Sequence, residues 1–418
     1  RGKQLFMIFS FATLILIIAV FADIIGKTFV NDPGVASASI LFIILAIVFG
    51  IINKLVVGNR KLAFIVISVV GVILMYYFVF LGMKLPFALD YNVWIIILLL
   101  YAFIASVTPV SYLLQPRDYL SSFLLYGLIL FAIAGVFISN PSIKMDNTVE
   151  FYSKDLGYLF PVLFVTVACG AISGFHSLVA SGTTSKQINK ERDSKLIGFG
   201  GMLIESFLAI LAVGAIMVIS QDDYAARLVS KGPVTMFAEG LGGIIASLGL
   251  SPELAVSFVA LTVSAFALTT LDTCTRLARF TFQEYFESER RHDSNSSILR
   301  ISTNRYFATS VVVFLSVLLL YSGEFTVLWP IFGSANQLLA ALALLTVSVW
   351  LWRKNVNPTF VIIPMVFMFV VALTSLIFFA YHNYEKQIYM LSLLAFSLSV
   401  LAIIVFWLAL KSIFPQNK

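Results

Sequence analysis

Small and polar residues crowd into the second half of one apolar stretch: Gly170, Ser173, Gly174, His176, Ser177, Ser181, Gly182, Thr183 and Thr184 follow the apolar run that opens at Pro161. Each glycine in a helix interior costs about 1 kcal/mol relative to alanine. The hydroxyls offer freed backbone groups other partners. A helix broken at membrane depth is tolerated only where it is buried in protein or lines a cavity, and broken helices build the substrate sites of secondary transporters. The same composition suits a tight helix–helix seam. Gly170, Ser173, Gly174, His176, Ser177 and Thr183 are therefore the expected substrate-binding residues. A small anion there can be met by N–H groups at a half-helix N-terminus. An imidazole at this depth suits proton exchange near neutral pH or contact with a substrate carboxylate. The plainer role for His176 is a neutral ring donating to a neighbouring carbonyl.

Two carboxylates lie within apolar sequence. Glu205 sits in Gly-Gly-Met-Leu-Ile-Glu-Ser-Phe and Asp272 in Thr-Thr-Leu-Asp-Thr-Cys-Thr-Arg. A charged side chain there costs about 2.5–3.5 kcal/mol on insertion scales and marks a functional site by default. Glu205 can carry a proton or bind a cation, or it can bond a Ser or Thr across helices. Asp272 precedes Arg276 by four residues, so the two can close a salt bridge on one helix face, or open and close as a gate. Asn336 and Gln337 are adjacent amides in the next apolar segment. They point in different directions, and at most one is expected to face a cavity; Asn336 joins Glu205, Asp272 and Arg276 as a coupling or gating candidate.

Other chemistries are excluded. There is no phosphate-binding loop, dinucleotide fingerprint or metal-ligand cluster, so no cofactor or metal is expected. Nothing resembles a nucleophile elbow beside His176, which argues against a membrane-embedded enzyme. Cys169 and Cys274 form no CxxC pair and read as small apolar core residues. With no nucleotide domain, uphill transport must draw on an ion gradient.

The elements that hold these residues follow from composition. Of 418 residues, 60% are hydrophobic and 11% charged, where a soluble domain carries about 25% charged residues. The bilayer accepts such a surface, at roughly 20 apolar residues per helical span. About twelve spans are expected, near residues 4–26, 36–57, 62–81, 92–114, 120–139, 157–180, 196–220, 253–280, 306–321, 329–352, 358–380 and 388–410. The runs are too long and continuous for barrel strands. The expected fold is an all-α polytopic transmembrane helix bundle with at least one broken helix, and residues 1–418 form a single transmembrane transporter domain.

With the N-terminus inside, this threading leaves only Lys27, Lys84, Lys144, Lys154, Arg227, Lys231 and Lys386 outside; the rest of the 27 Lys and Arg lie inside. That asymmetry follows the positive-inside rule. The net charge of +6 is thus an orientation signal and not a nucleic-acid footprint. Three connections stand out. Residues 140–156 are a polar outer loop, residues 221–252 hold a short interfacial helix, and residues 281–305 form a charged inner loop. Thr108-Pro-Val-Ser should kink or break the fourth span, which ends in a charged turn, Gln115-Pro-Arg-Asp-Tyr-Leu120.

At these strings the chain resembles the carbon-starvation protein A (CstA) family. The matching segments are Gln115-Pro-Arg-Asp-Tyr-Leu120, Phe160 to Thr184 with its core Ala168-Cys-Gly-Ala-Ile-Ser-Gly-Phe-His176, Gly198-Phe-Gly-Gly-Met-Leu-Ile-Glu-Ser206, Leu271-Asp-Thr-Cys-Thr-Arg-Leu-Ala-Arg-Phe280 and Trp329-Pro-Ile-Phe-Gly-Ser-Ala-Asn-Gln337. Together they are specific; each alone is weak. The resemblance implies a bacterial inner-membrane transporter induced on carbon limitation. It implies import of pyruvate or short peptides with protons, and a LeuT-like architecture of inverted repeats. Family members carry an earlier segment with Gly-His-His-Phe and Ala-Gly-Ala-Gly-Pro; no such string occurs here, and the expectation is that this sequence, which opens at Arg1, starts after it. The rival readings are a passive channel or facilitator, and a starvation sensor that moves nothing.

Overall fold

A backbone in hydrocarbon finds no water to bond, so each segment must satisfy its own N–H and C=O groups, as a helix does. In a computed structural model of the chain, which describes residues 2–57, 60–145, 151–153, 157–290, 297–322 and 325–413, helices account for nearly all of the ordered elements. They are α1 (Gly2–Asn31), α2 (Pro33–Ile52), α3 (Lys61–Lys84), α4 (Tyr91–Val107), α5 (Leu114–Ser139), α6 (Phe164–Val167), α7 (Gly174–Gly182), α8 (Asp193–Met217), α9 (Gln221–Ala246), α10 (Pro252–Arg290), α11 (Ser297–Ser302), α12 (Arg305–Leu320), α13 (Phe325–Arg353), α14 (Thr359–Glu385) and α15 (Tyr389–Ile413). Two-residue strands, Tyr152–Ser153 and Gly157–Tyr158, pair antiparallel in the loop before α6. Among the described residues, 10 helical segments are long and apolar enough to cross a membrane, and Tyr91–Val107 and Arg305–Leu320 are shorter apolar helices. The chain is a multi-pass all-α membrane protein.

The chain divides into two compact units, each discontinuous in sequence: Arg1–Val20, Val149–Glu205 and Thr273–Lys418 form the first, Phe21–Thr148 and Ser206–Asp272 the second. In the first, α13, α14 and α15 pack side by side. Phe369 stacks on Phe406 at 4.0 Å, and Ser334 meets Ser375 at 2.9 Å inside the bundle. In the second, α2 pairs with α3 and α5 covers both. Phe49 stacks on Tyr119 at 5.7 Å, and the Tyr119 hydroxyl donates to Ser68 at 3.0 Å. Asp32 starts α2 by accepting from the N–H groups of Gly34 and Val35 at 3.0 and 3.1 Å, with Pro33 at the first helical position.

The expected break after α4 is present. Thr108, which precedes Pro109, is extended at φ −76° and ψ 144°, as the proline ring requires of its predecessor. Three boundaries differ from expectation. The charged turn at Gln115–Leu120 is the opening of α5, because Pro116 sits where its missing N–H costs nothing and Arg117 finds a buried partner. The interfacial segment is longer: α9 is two helical pieces joined at Gly232, whose φ of 78° and ψ of 170° suit only glycine. The inner loop is mostly helix, since α10 runs on to Arg290 and Lys3 pairs with Glu284 at 2.7 Å. Arg291, His292 and Asp293 of that loop, and Asp146, Glu150, Lys154 and Asp155 of the outer one, lie outside the described residues.

Candidate functional site

The segment from Leu159 changes helical type repeatedly before it breaks. A wide turn at Leu159–Leu163 leads into α6, then into a 3₁₀ turn at Ala168–Gly170. Ser173 is extended, at φ −133° and ψ 129°, and α7 starts at Gly174. Mixed turns of this kind mark places where the i→i−4 ladder cannot continue. The break exposes N–H groups at the start of α7 that no helical carbonyl can reach.

Asn336 of α13 fills the gap. Its Oδ1 accepts the Phe175 N–H at 2.7 Å, and its Nδ2 donates to Ser173 Oγ at 3.1 Å. Cys169 belongs to the same cluster, 3.4 Å from Ser173 Oγ and 3.3 Å from Asn336 Nδ2. Ser173 and Asn336 are both buried. The first turn of α7 is thus capped by a side chain distant in sequence, which pins the break to α13. Gln337 is as buried as Asn336, so the adjacent amides both point into protein, and among the described residues Gln337 has no hydrogen-bond partner for either side-chain polar atom.

Gly174 makes this contact possible. A Cβ there would lie 2.5 Å from Leu339 Cβ and 2.6 Å from the Ala340 nitrogen, and would strike the Asn336 carbonyl oxygen. At Gly170 a Cβ meets nothing within 4 Å. Gly174→Ala is expected to lower stability by about 1–3 kcal/mol, the usual cost of overpacking. Gly170→Ala should stay within about 0.5 kcal/mol of wild type. Unfolding of the two variants in the same detergent decides the point, and equal stabilities would contradict it.

His176 lies on α7 one turn beyond the break. Its Nδ1 is 3.7 Å from Glu205 Oε2 on α8, with side-chain exposures of 51% and 39%. The separation exceeds a direct hydrogen bond and is within ion-pair range. The carboxylate and the imidazole thus face each other, both partly exposed. The other candidates serve differently. Ser177 turns its hydroxyl back to the Gly174 carbonyl at 2.6 Å, and Thr183 ends α7 with its N–H on the Val179 carbonyl at 2.9 Å. The first unit therefore gathers Ser173, Gly174, His176, Glu205 and Asn336. Arg276 is buried in that unit on α10.

Asp272 belongs to the second unit. Its Oδ2 accepts from Arg117, with which it forms a fully buried ion pair, and from the Tyr101 hydroxyl at 2.9 Å. Arg117 also donates to Tyr101. The i+4 spacing pointed to Arg276; the partners found here come from α4 and α5. Beside them Asp118 accepts from the Thr269 hydroxyl at 3.2 Å.

Sequence reasoning missed Arg117 and Tyr101, and took Cys169 for a small apolar core residue. Arg117 stood in a string assigned to a polar turn. Its signal was the proline one residue earlier, which permits a helix start there. Tyr101 lies in an apolar run with no pattern to distinguish it. Asp23 was missed as well: it is buried on α1, with the Tyr91 hydroxyl at 2.5 Å and Lys27 at 3.0 Å. No group of three or more His, Cys, Asp or Glu side chains that could hold a metal occurs among the described residues.

A family model described as "Carbon starvation protein CstA" matches residues 1–228 and 225–375. The chain is 34% identical over 330 residues to the peptide transporter CstA of Bacillus subtilis (strain 168), covering 69% of this chain and 54% of the relative. It is 33% identical over 319 residues to the peptide transporter CstA of Escherichia coli (strain K12), covering 61% and 44%. It is 29% identical over 433 residues to the pyruvate/proton symporter BtsT of Escherichia coli (strain K12), covering 82% and 59%. The chain spans about half the length of the curated relatives it matches.

Proposed function

Because the chain belongs to the carbon starvation protein CstA family, we propose that it acts as a secondary transporter that imports a small carboxylate-bearing metabolite, pyruvate or a short peptide, together with protons. The observation that carries this reading is the broken helix before α7, held open by Asn336, with the His176–Glu205 pair one turn away. Broken helices supply substrate sites in transporters, and a half-exposed imidazole–carboxylate pair supplies a proton carrier. The relatives' names support both halves: two are peptide transporters and one is a pyruvate/proton symporter.

In this reading Ser173, positioned by the buried Asn336, orients the substrate, the open space at Gly170 admits it, and Ser177 and Thr183 line the path along α7. Glu205 takes the coupling proton, and His176 sets when it is released. Asp272 and Arg276 act in gating, with Arg117 and Tyr101 holding the aspartate. Residues 1–418 work as one transporter domain, in a bacterial plasma membrane with the N-terminus in the cytoplasm, and the inverted repeats implied by the family resemblance are part of the proposal. The carbon-starvation response is the physiological setting the family description suggests.

Substrate identity is tested by exchange. Proteoliposomes loaded with unlabelled pyruvate or an unlabelled dipeptide are placed in the labelled compound, with no proton gradient. Exchange of one compound that is saturable and weakened by Asn336→Ala supports the reading. Exchange of neither, with folded and inserted protein, rejects both substrates and favours a sensor.

A further inference from the structure

Near residues 276–280 α10 gathers basic side chains, of which the transport reading uses Arg276 alone. Arg276 and Arg279 lie three residues apart on one face of the helix, and both are buried. Gln283, one turn further, donates to the Thr303 carbonyl at 2.7 Å. That bond brings the start of α12 beside the same face. Arg305 is the first residue of α12, and Arg276 and Arg305 are the charges that act on Arg279, both of its own sign. A fourth cation arrives from the end of the broken-helix segment: Lys186 Nζ lies 5.7 Å from the centre of the Phe280 ring, and the Arg279 guanidinium lies over that ring at 4.5 Å.

Among the described residues, no carboxylate pairs with Arg279, Arg305 or Lys186. Arg279 is only 8% exposed, yet its Nε has no hydrogen-bond partner among those residues. Arg305 spends its contacts on the ring and hydroxyl of Tyr306. A buried guanidinium facing like charges, with a donor unused, is held at a cost that an oxyanion removes. Guanidinium groups match phosphate oxygens in a bidentate fork. The surroundings identify the carrier of that phosphate. Arg305 and Lys186 are exposed, and so are Phe280, Tyr306 and Phe307. Aromatic rings and long basic side chains in company mark the membrane–water boundary, and basic pockets between helices on the cytoplasmic side bind lipid headgroups. The distribution of Lys and Arg assigns these positions to that side.

We propose that Lys186, Arg279 and Arg305 form a phosphate-binding site for the headgroup of an anionic phospholipid, clamping the end of the broken-helix segment to α10 and α12. Occupancy does not require transport, so the two readings fail separately.

The test is thermal unfolding of the full chain in a neutral detergent, with phosphatidylglycerol, phosphatidylcholine or free glycerol phosphate added. The expected result is a saturable upward shift with phosphatidylglycerol alone, lost in the double variant Lys186→Gln/Arg305→Gln. Both positions are exposed, so the double variant tests the site without emptying the core. The exposed Arg192→Gln, which makes a charge change elsewhere, should keep the shift. An equal shift in all three proteins would overturn the site. An equal shift with glycerol phosphate would overturn the lipid assignment and leave a site for a soluble anion.

Discussion

Asp272→Asn is expected to destabilise the fold by about 3–5 kcal/mol, the cost of removing one partner from a buried ion pair. Arg117 and Asp272 are both fully buried, and among the described residues Arg117 would keep its charge beside the Tyr101 hydroxyl and neighbouring Asp118 alone. Arg117→Gln should cost a similar amount for the mirror reason. The sign reverses when both charges go. Arg117→Met combined with Asp272→Leu removes the desolvation cost along with the attraction, and such replacements are often neutral or stabilising. Chemical denaturation of the four proteins in mixed micelles compares the two single losses with the double replacement. A single-variant loss below about 1 kcal/mol, the scale of a solvent-exposed pair, would show that the pair is not what holds α4, α5 and α10 in the second unit. The double variant should fold and yet not transport if the pair gates.

Glu205→Gln is expected to abolish concentrative uptake while leaving exchange of substrate across the membrane. The side chain keeps its shape and loses its proton, so only steps that need a change of charge should stop. His176→Ala should slow gradient-driven uptake without removing exchange, because Glu205 still titrates but loses its neighbour 3.7 Å away. Parallel measurement of exchange and accumulation separates the two steps. Accumulation by Glu205→Gln at the wild-type level would move proton coupling elsewhere. The buried Asp23, held by Tyr91 and Lys27, would be the next carboxylate to examine.

Much of the fold is legible in the sequence because the bilayer imposes one rule on every span. Apolar length locates the helices, and Thr108-Pro-Val-Ser locates the gap between α4 and α5. The crowding of Gly, Ser and Thr between Gly170 and Thr184 locates the broken helix. Helix ends are less legible: charge reads as loop, whereas α10 carries its charged residues on a solvated helical turn and α5 opens with a buried arginine.

The partners are the least legible part, since they are tertiary. Nothing near Asn336 in sequence announces that it caps a helix 163 positions earlier. Nothing near Asp272 points to Arg117 and Tyr101 on two other helices. Spacing along one helix names the neighbour at i+4 and stays silent about every other helix. Glu205 and His176 were each legible as polar groups at membrane depth, but their pairing depends on how α7 packs after the break.

The most direct measurement is uptake into proteoliposomes under an imposed inward proton gradient, with labelled pyruvate and a labelled dipeptide run in parallel. The account predicts accumulation of one of them above the outside concentration, collapsing when a protonophore is added. Saturable entry that only equilibrates, with or without the gradient, would contradict it and make the protein a passive facilitator.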